Sequence, residues 1–191
     1  AGGSAQDGSW LVLTDSESRT AATEFAAAFG SAERRVLTAP LDDESAVQEA
    51  FADAAADPSR PPVGVVVLTG HPSSNPEAAL VKAREVVWSV TAAVRAVTGG
   101  WHGKSPRLWL VTRGGLAVED AEAGDPAAGA LRGVVRVLAY EHPALRTTLV
   151  DLDPASPDVH AAALATELGA TGTDDIVAWR GGRRFAERLR R

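Results

Sequence analysis

With 191 residues, 45% apolar and 23% charged, the chain is long and apolar enough for a genuine core in one domain, or two small ones, and is not a disordered tail. No apolar run approaches the roughly 18 residues of a bilayer-spanning helix, and the absence of cysteine removes disulfides, thiolate nucleophiles and Cys-ligated zinc. The net charge of -6 works against a nucleic-acid partner, and the basic residues gather at the end, where 180–191 holds six Arg and one Glu, a stretch expected to be a solvated tail or a docking edge.

In chain order, residues 1–8 (AGGSAQDG) have neither the basic start nor the apolar run of a leader. They read as a linker or a cloning scar, which leaves 9–191 as the folded unit and a reducing, cytoplasmic compartment with no membrane contact as the expectation. Residues 9–13 (SWLVL) predict a strand, and 20–29, rich in Ala with Phe25 and Phe29 one turn apart, a helix. A second strand follows at 35–38, and the acidic turn Asp42-Asp43-Glu44 opens a helix through Ala56, as the helix dipole favours. The run VGVVVL at 63–68 is that of a central strand covered on both faces. Ser74-Asn75-Pro76-Glu77 forms a capping box for a long helix to Thr98, whose core stripe is expected at Leu80, Ala83, Val87, Val90, Val94 and Val97.

Residues 108–112 (LWLVT) predict another buried strand, and an acidic, Gly-bearing loop over 113–125 leads to Pro126 at the head of a helix to about Glu141. Leu131, Val134, Val135 and Leu138 share one face of it, and Gly129 and Gly133, four apart, are expected to allow close backbone packing. His142-Pro143 stops that helix, 147–151 is a strand, and Ser156-Pro157 caps a helix through Leu168. Residues 176–179 and 183–189 flank Gly181-Gly182, whose freedom at positive φ suits a tight hairpin. The order is that of a single α/β domain, a mainly parallel sheet flanked by helices and closed by a C-terminal β-hairpin.

Sites in such sheets lie in the loops after the strands. The first of these, Thr14-Asp15-Ser16-Glu17-Ser18-Arg19, has no glycine to let backbone approach a pyrophosphate and two carboxylates to repel one. Beside His71, Ser74 is better explained as a helix cap than as a nucleophile. Arg113-Gly114-Gly115 is the one Gly-bearing loop that could greet an anion, against an acidic sequel in Glu119, Asp120 and Glu122. His71, His102, His142 and His160 lack metal-site spacing, so no metal is expected. Asp151 and Asp153 could form a carboxylate pair, but turn and cap roles fit better before Pro154 and Ser156. Tyr140 is the only tyrosine, and position 144 is Ala where a Tyr-xxx-Lys proton-transfer pair needs Lys. Without that neighbour a tyrosine of pKa about 10 is a poor base at neutral pH. Core packing is expected for Trp10, Trp88, Trp109 and Trp179, and exposure for Trp101 in a Gly-rich turn.

Several segments match one family in its own order: Trp10-Leu11-Val12-Leu13; Leu108-Trp109-Leu110-Val111-Thr112-Arg113-Gly114-Gly115; Leu131 through Pro143 (LRGVVRVLAYEHP); Leu149-Val150-Asp151-Leu152-Asp153; and Ala178-Trp179-Arg180-Gly181-Gly182-Arg183-Arg184-Phe185. Over nearly the whole chain after residue 8 it resembles the structural subdomain of a type I polyketide synthase ketoreductase. The resemblance implies a truncated Rossmann-like fold over 9–191 with no catalytic and no cofactor-binding residue of its own. NADPH and the catalytic Ser, Tyr, Lys and Asn would belong to a separate catalytic half, acting on a carrier-bound polyketide or fatty acyl chain. The chain would support that half and dock the neighbouring dehydratase and any enoylreductase, with Leu131, Val134, Val135, Leu138 and Phe185 as the expected interface. Two other readings stand beside it: a pseudo-ketoreductase scaffold without an active partner, and a standalone α/β enzyme binding a small ligand.

Overall fold

The computed structural model describes residues 7–70, 75–100, 104–120, 122–155, 160–170 and 172–188. The elements are β1 (Gly8–Thr14), α1 (Arg19–Phe29), β2 (Arg34–Pro40), α2 (Glu44–Ala55), β3 (Pro62–Leu68), α3 (Pro76–Gly100), β4 (Arg107–Arg113), α4 (Pro126–Glu141), β5 (Thr148–Leu152), α5 (His160–Gly169), β6 (Ile176–Arg180) and β7 (Arg183–Ala186). A short 3-10 turn, Pro143–Leu145, links α4 to β5.

The seven strands form one sheet in the order β2-β1-β3-β4-β5-β6-β7, parallel except for the β6–β7 hairpin. This is the doubly wound Rossmann arrangement shortened on its first side, where one strand rather than two lies beyond β1. The hairpin turn uses Gly181 at φ 53° and Gly182 at φ 73°, which side chains with a Cβ rarely adopt.

Strand residues alternate between two apolar layers because successive side chains point to opposite faces. Leu11, Leu13, Val65, Val67, Leu108, Leu110 and Leu149 meet α2, α3 and α4 on one face, whereas Trp10, Val12, Val66, Trp109, Val111 and Val150 meet α1 and α5 on the other. In the second layer the Trp10 ring stands edge-on to Phe29 at 5.0 Å and lies 5.3 Å from Trp109. The caps are local: Asp43 accepts from Ala46 N–H at 3.0 Å, and Asp125, ahead of Pro126, accepts from Ala127 N–H at 3.1 Å. Asn75 accepts from Glu77 N–H at 2.9 Å at the head of α3, and the Ser74 cap, like His71, Trp101, His102 and Ser156-Pro157, lies outside the described residues.

Two helix faces differ from expectation. The core side of α3 is Ala79, Val86, Val90, Ala93, Val94 and Val97, and Leu80 is instead 68% exposed, with Trp88 70% exposed, so neither belongs to the core. A helix with Leu, Val and Trp around its circumference has no unique apolar stripe, and the sheet selected the smaller residues that let α3 sit close. On α4, Leu131, Val135 and Leu138 are buried in the α2–α3–α4 layer with Val134 partly buried against it, so the first three are core and not an interface. Gly129 and Gly133 are not at a packed crossing either: a Cβ on either would meet nothing within 4 Å. They lie exposed on the outer side of α4 with Val137 and with Tyr140, which is 89% exposed.

Close packing falls instead at Gly64, where a Cβ would overlap the Trp10 ring. Gly64→Ala is expected to cost about 1–3 kcal/mol, whereas Gly129→Ala, on an open helix surface, should stabilise by up to about 1 kcal/mol; urea denaturation of the two variants checks both.

Candidate functional site

In a sheet of this order the ligand crevice lies beyond the C-terminal ends of the strands, at the β1/β3 switch point. Here that position is filled by the loop after β1. The Asp15 carboxylate accepts from Ser18 N–H at 2.9 Å, just before α1, and from Gly70 N–H after β3 at 2.5 Å. Glu17 pairs with Lys82 at 2.7 Å and lies against Gly70, where a Cβ would overlap its side chain. The open cleft beside them, about 840 Å³, is lined by Asp15, Glu17, Asp42 and Glu85 against one cation, Lys82. Two backbone donors at this crevice, Ser18 N–H and Gly70 N–H, thus already hold the Asp15 carboxylate, and the acidic lining of the cleft matches a dinucleotide phosphate poorly.

Further along the same edge, the ends of β4, β5 and β6 converge on Asp151. It alternates with Val150 and Leu152, points to the α4 side and is fully buried. Four donors surround its carboxylate: the Thr112 hydroxyl at 2.6 Å, Gly115 N–H at 2.8 Å, Leu116 N–H at 3.1 Å and Arg180 Nη2 at 2.7 Å. Arg180, buried as well, also reaches Glu122 at 2.6 Å and the Leu116 carbonyl at 2.7 Å. Burial opposes the charge on Arg180, but its bonds to Glu122 and Asp151 outweigh that and raise its pKa. Burial would likewise push Glu122 up, yet the Arg180 and Val118 hydrogen bonds prevail and hold it below the usual carboxylate range. Asp153 completes the edge, accepting from Ala155 N–H at 2.8 Å and from Gly181 N–H at 2.7 Å.

The Arg113-Gly114-Gly115 loop therefore does bind an anion, and the anion is the chain's own Asp151. Gly115 is required for close approach, since a Cβ there would overlap Ala128 of α4. Of the two aspartates, Asp153 has the turn role expected, but Asp151 does not: it is the buried partner of Arg180. Tyr140 stands on the solvent side of α4. Among the described residues no group of three or more His, Asp or Glu is placed to hold a metal. Sequence reasoning misses Arg180 as a site residue because its partners, Glu122 and Asp151, are 58 and 29 positions away and nothing local marks them.

A helix-flanked, nearly parallel sheet closed by an antiparallel hairpin defines a Rossmann-like domain of the ketoreductase kind. The chain belongs to the polyketide synthase family of Rossmann-fold domains: the family model described as "Polyketide synthase extender module SpnB, Rossmann fold domain" matches residues 9–189. It is 54% identical over 196 residues to one of the phenolphthiocerol/phthiocerol polyketide synthase proteins of Mycobacterium tuberculosis (strain ATCC 25618 / H37Rv), covering 96% of this chain and 11% of that protein. It is 33% identical to the phthioceranic/hydroxyphthioceranic acid synthase of Mycobacterium bovis (strain BCG / Pasteur 1173P2), over 95% of this chain and 8% of that one. Among solved structures, the first ketoreductase of the tylosin PKS superposes with a TM-score of 0.64 at 25% identity, over 94% of this chain and 38% of that chain. A C2-type ketoreductase from a modular polyketide synthase gives 0.65 at 27%, over 99% and 42%. The chain thus spans about a tenth of the curated relatives it matches and about two fifths of the solved ketoreductases.

The Asp151–Arg180 pair generates a direct expectation. Arg180→Met leaves a carboxylate buried without its counter-charge and should cost about 3–5 kcal/mol, read as a lowered urea midpoint. Because the folded-state pKa of Glu122 is depressed, its contribution is present above the ordinary carboxylate value of about 4 and lost as pH falls through the lower folded value. The stability gap between wild type and Arg180→Met should therefore narrow as pH falls below about 4, which denaturation curves between neutral and acid pH will show.

Proposed function

We propose that this chain is the non-catalytic, structural half of a polyketide synthase ketoreductase, holding in place a separate catalytic half that binds NADPH and reduces a β-keto group on a carrier-bound acyl chain. The observation that carries the reading is the acidic switch point: Asp15 takes Ser18 N–H and Gly70 N–H and Glu17 stands beside it on Lys82, an arrangement that favours a body with the shape of a reductase and no cofactor of its own. The extent of the match supports it, since two fifths of a solved ketoreductase chain corresponds to this domain and the remainder is available for another body.

The contact with that partner runs over the outer side of α3 and α4. There Leu80, Val81 and Trp88 on one helix and Val137 and Tyr140 on the other are exposed, and Gly129 and Gly133 leave α4 bare of side chains. Large apolar residues rarely gather at the surface of a domain that works alone. Phe185, half-buried on β7 beside a groove bordered by Leu116, Arg132 and Ala186, is a second contact. Neighbouring dehydratase or enoylreductase domains of the same polypeptide would dock on the surfaces left over, and the whole would work in the cytoplasm.

The test combines cofactor binding with association. Calorimetry of this chain should show no saturable NADPH binding, and mixing it with the remainder of its ketoreductase, expressed as a second chain, should restore NADPH-dependent ketone reduction. Trp88→Asp together with Tyr140→Asp should weaken that association at least about tenfold while leaving the chain folded, since neither residue is in the core. Saturable NADPH binding by this chain alone would overturn the reading.

A further inference from the structure

The cleft of about 840 Å³ beside the loop after β1 joins two kinds of lining. Leu41 and Val86, both buried, and Ala78 and Val81, both exposed, make one part of it apolar, whereas Asp15, Glu17, Asp42 and Glu85 make the rest acidic. The carboxylates are unequally engaged. Asp15 accepts from Ser18 N–H and Gly70 N–H, and Glu17 holds Lys82, the one cation of the lining, at 2.7 Å. Asp42 and Glu85 are exposed and form no ion pair among the described residues, so they remain as negative charge that a visiting group can reach.

This lining suits one kind of guest. A long basic side chain has an apolar stem and a cationic head, and the cleft offers a surface for each on one side of α3, where Ala78, Val81, Glu85 and Ser89 recur at spacings of three and four. An anion would be repelled here, and a purely apolar group would cover the two carboxylates without pairing them. Continuity shows where the guest comes from. Val81, 58% exposed, both lines the cleft and belongs to the apolar outer side of α3 with Leu80 and Trp88, and Glu85 precedes Trp88 by three residues, so the two are neighbours on the helix surface. A body that covers Trp88 therefore reaches the cleft as well, and about three fifths of a solved ketoreductase chain lies outside the part that corresponds to this one.

We infer that the catalytic half places an arginine or lysine side chain in this cleft, its stem on Val81 and Ala78 and its cationic head against Asp42 and Glu85. This contact rests on the function proposed above and adds to it the charge that the partner must carry. The apolar side of α3 supplies area without a preferred register, and a cation seated in an acidic cleft supplies the register.

The test places one double substitution, Asp42→Asn with Glu85→Gln, in two settings. Both residues are exposed and both changes keep the side-chain shape, so in this chain alone the urea midpoint should stay or rise slightly as repulsion within the cleft is relieved. In the intact ketoreductase, with both halves in one polypeptide, the same double substitution should lower the midpoint of the first unfolding transition, and the difference should shrink as salt is raised. Each Lys and Arg on the surface of the catalytic half is then replaced by Met in the wild-type and in the Glu85→Gln background, and one of them should destabilise the first and not the second. Equal midpoints for the intact wild type and double variant, a loss as large in the isolated chain, or no basic residue coupled to Glu85 would overturn the inference and leave the non-catalytic reading standing. Saturable NADPH binding by this chain alone removes that reading and the inference with it. Titration of the isolated chain with magnesium and with spermidine covers the other occupants: a saturable rise in midpoint that the double variant loses would assign the cleft to a soluble cation and overturn the inference too.

Discussion

The buried ion pair between Asp151 and Arg180 is the constraint on which the C-terminal edge of the sheet depends. Two charges withdrawn from water are tolerable only when each remaining lone pair and proton also finds a partner. Here that requirement reaches through the chain: Asp151 needs Thr112 on β4 and the backbone N–H groups of Gly115 and Leu116, and Arg180 needs Glu122 and the Leu116 carbonyl. The loop over 113–125 cannot move without stranding one of these groups, and the hairpin turn is tied to the same edge through Asp153 and Gly181 N–H. One pair therefore sets the path of the chain from β4 to β7.

The same pair decides what the domain can do. A Rossmann-like sheet concentrates its functional possibilities at the C-terminal ends of its strands, and this chain places its own carboxylates along that edge, Asp15 and Glu17 at the switch point and Asp151 near the end of β5. The proposed function accordingly draws on the outer surfaces. The exposed tryptophan, leucine and valines on α3 and α4 acquire a meaning that they would lack in a reductase with an open site.

Much of the fold is legible in the sequence, because strands such as VGVVVL at 63–68 and helix starts such as Asp125-Pro126 are marked locally. The long run of strands and crossovers then allows few topologies. Helix faces are less legible. Leu80 draws attention by hydrophobicity over Ala79, yet proximity of helix to sheet favours the small residue, and with Val at both 86 and 87 the residue type does not choose between them, so the N-terminal part of the α3 stripe is rotated from its expected position while Val90, Val94 and Val97 hold. On α4 the apolar stripe lies where its spacing puts it but faces a different neighbour: Leu131, Val135 and Leu138 meet the sheet, not a partner. The charged site is the least legible part, since Arg180 looks like any member of an Arg-rich end until the fold brings Asp151 beside it.

As far as Arg188, that Arg-rich end is not a solvated tail. Arg184 is bound to Glu167 and Asp174, Arg188 to Asp174, and from the other side Arg132 and Arg136 of α4 grip Glu187. The exposed pairs among these are each worth little, but together with the buried Glu167 they press the hairpin against both α5 and α4 and leave Asp174 held below the usual carboxylate range by its two arginine hydrogen bonds. The last strand, four residues long and carrying Arg183 and Arg184, is the kind of charged, short edge that resists pairing with another strand. Sheet extension is therefore disfavoured at β7, and Phe185, with the Arg183 guanidinium 5.3 Å from its ring centre, can offer a partner side-chain contact but not a backbone ladder. Between the two surfaces that a second domain could use, the glycine-notched face of α4 beside Trp88 of α3 offers the larger apolar area, and two nearby charges are already engaged, Arg136 by Glu187 and Arg95 by the Trp88 ring 5.7 Å away.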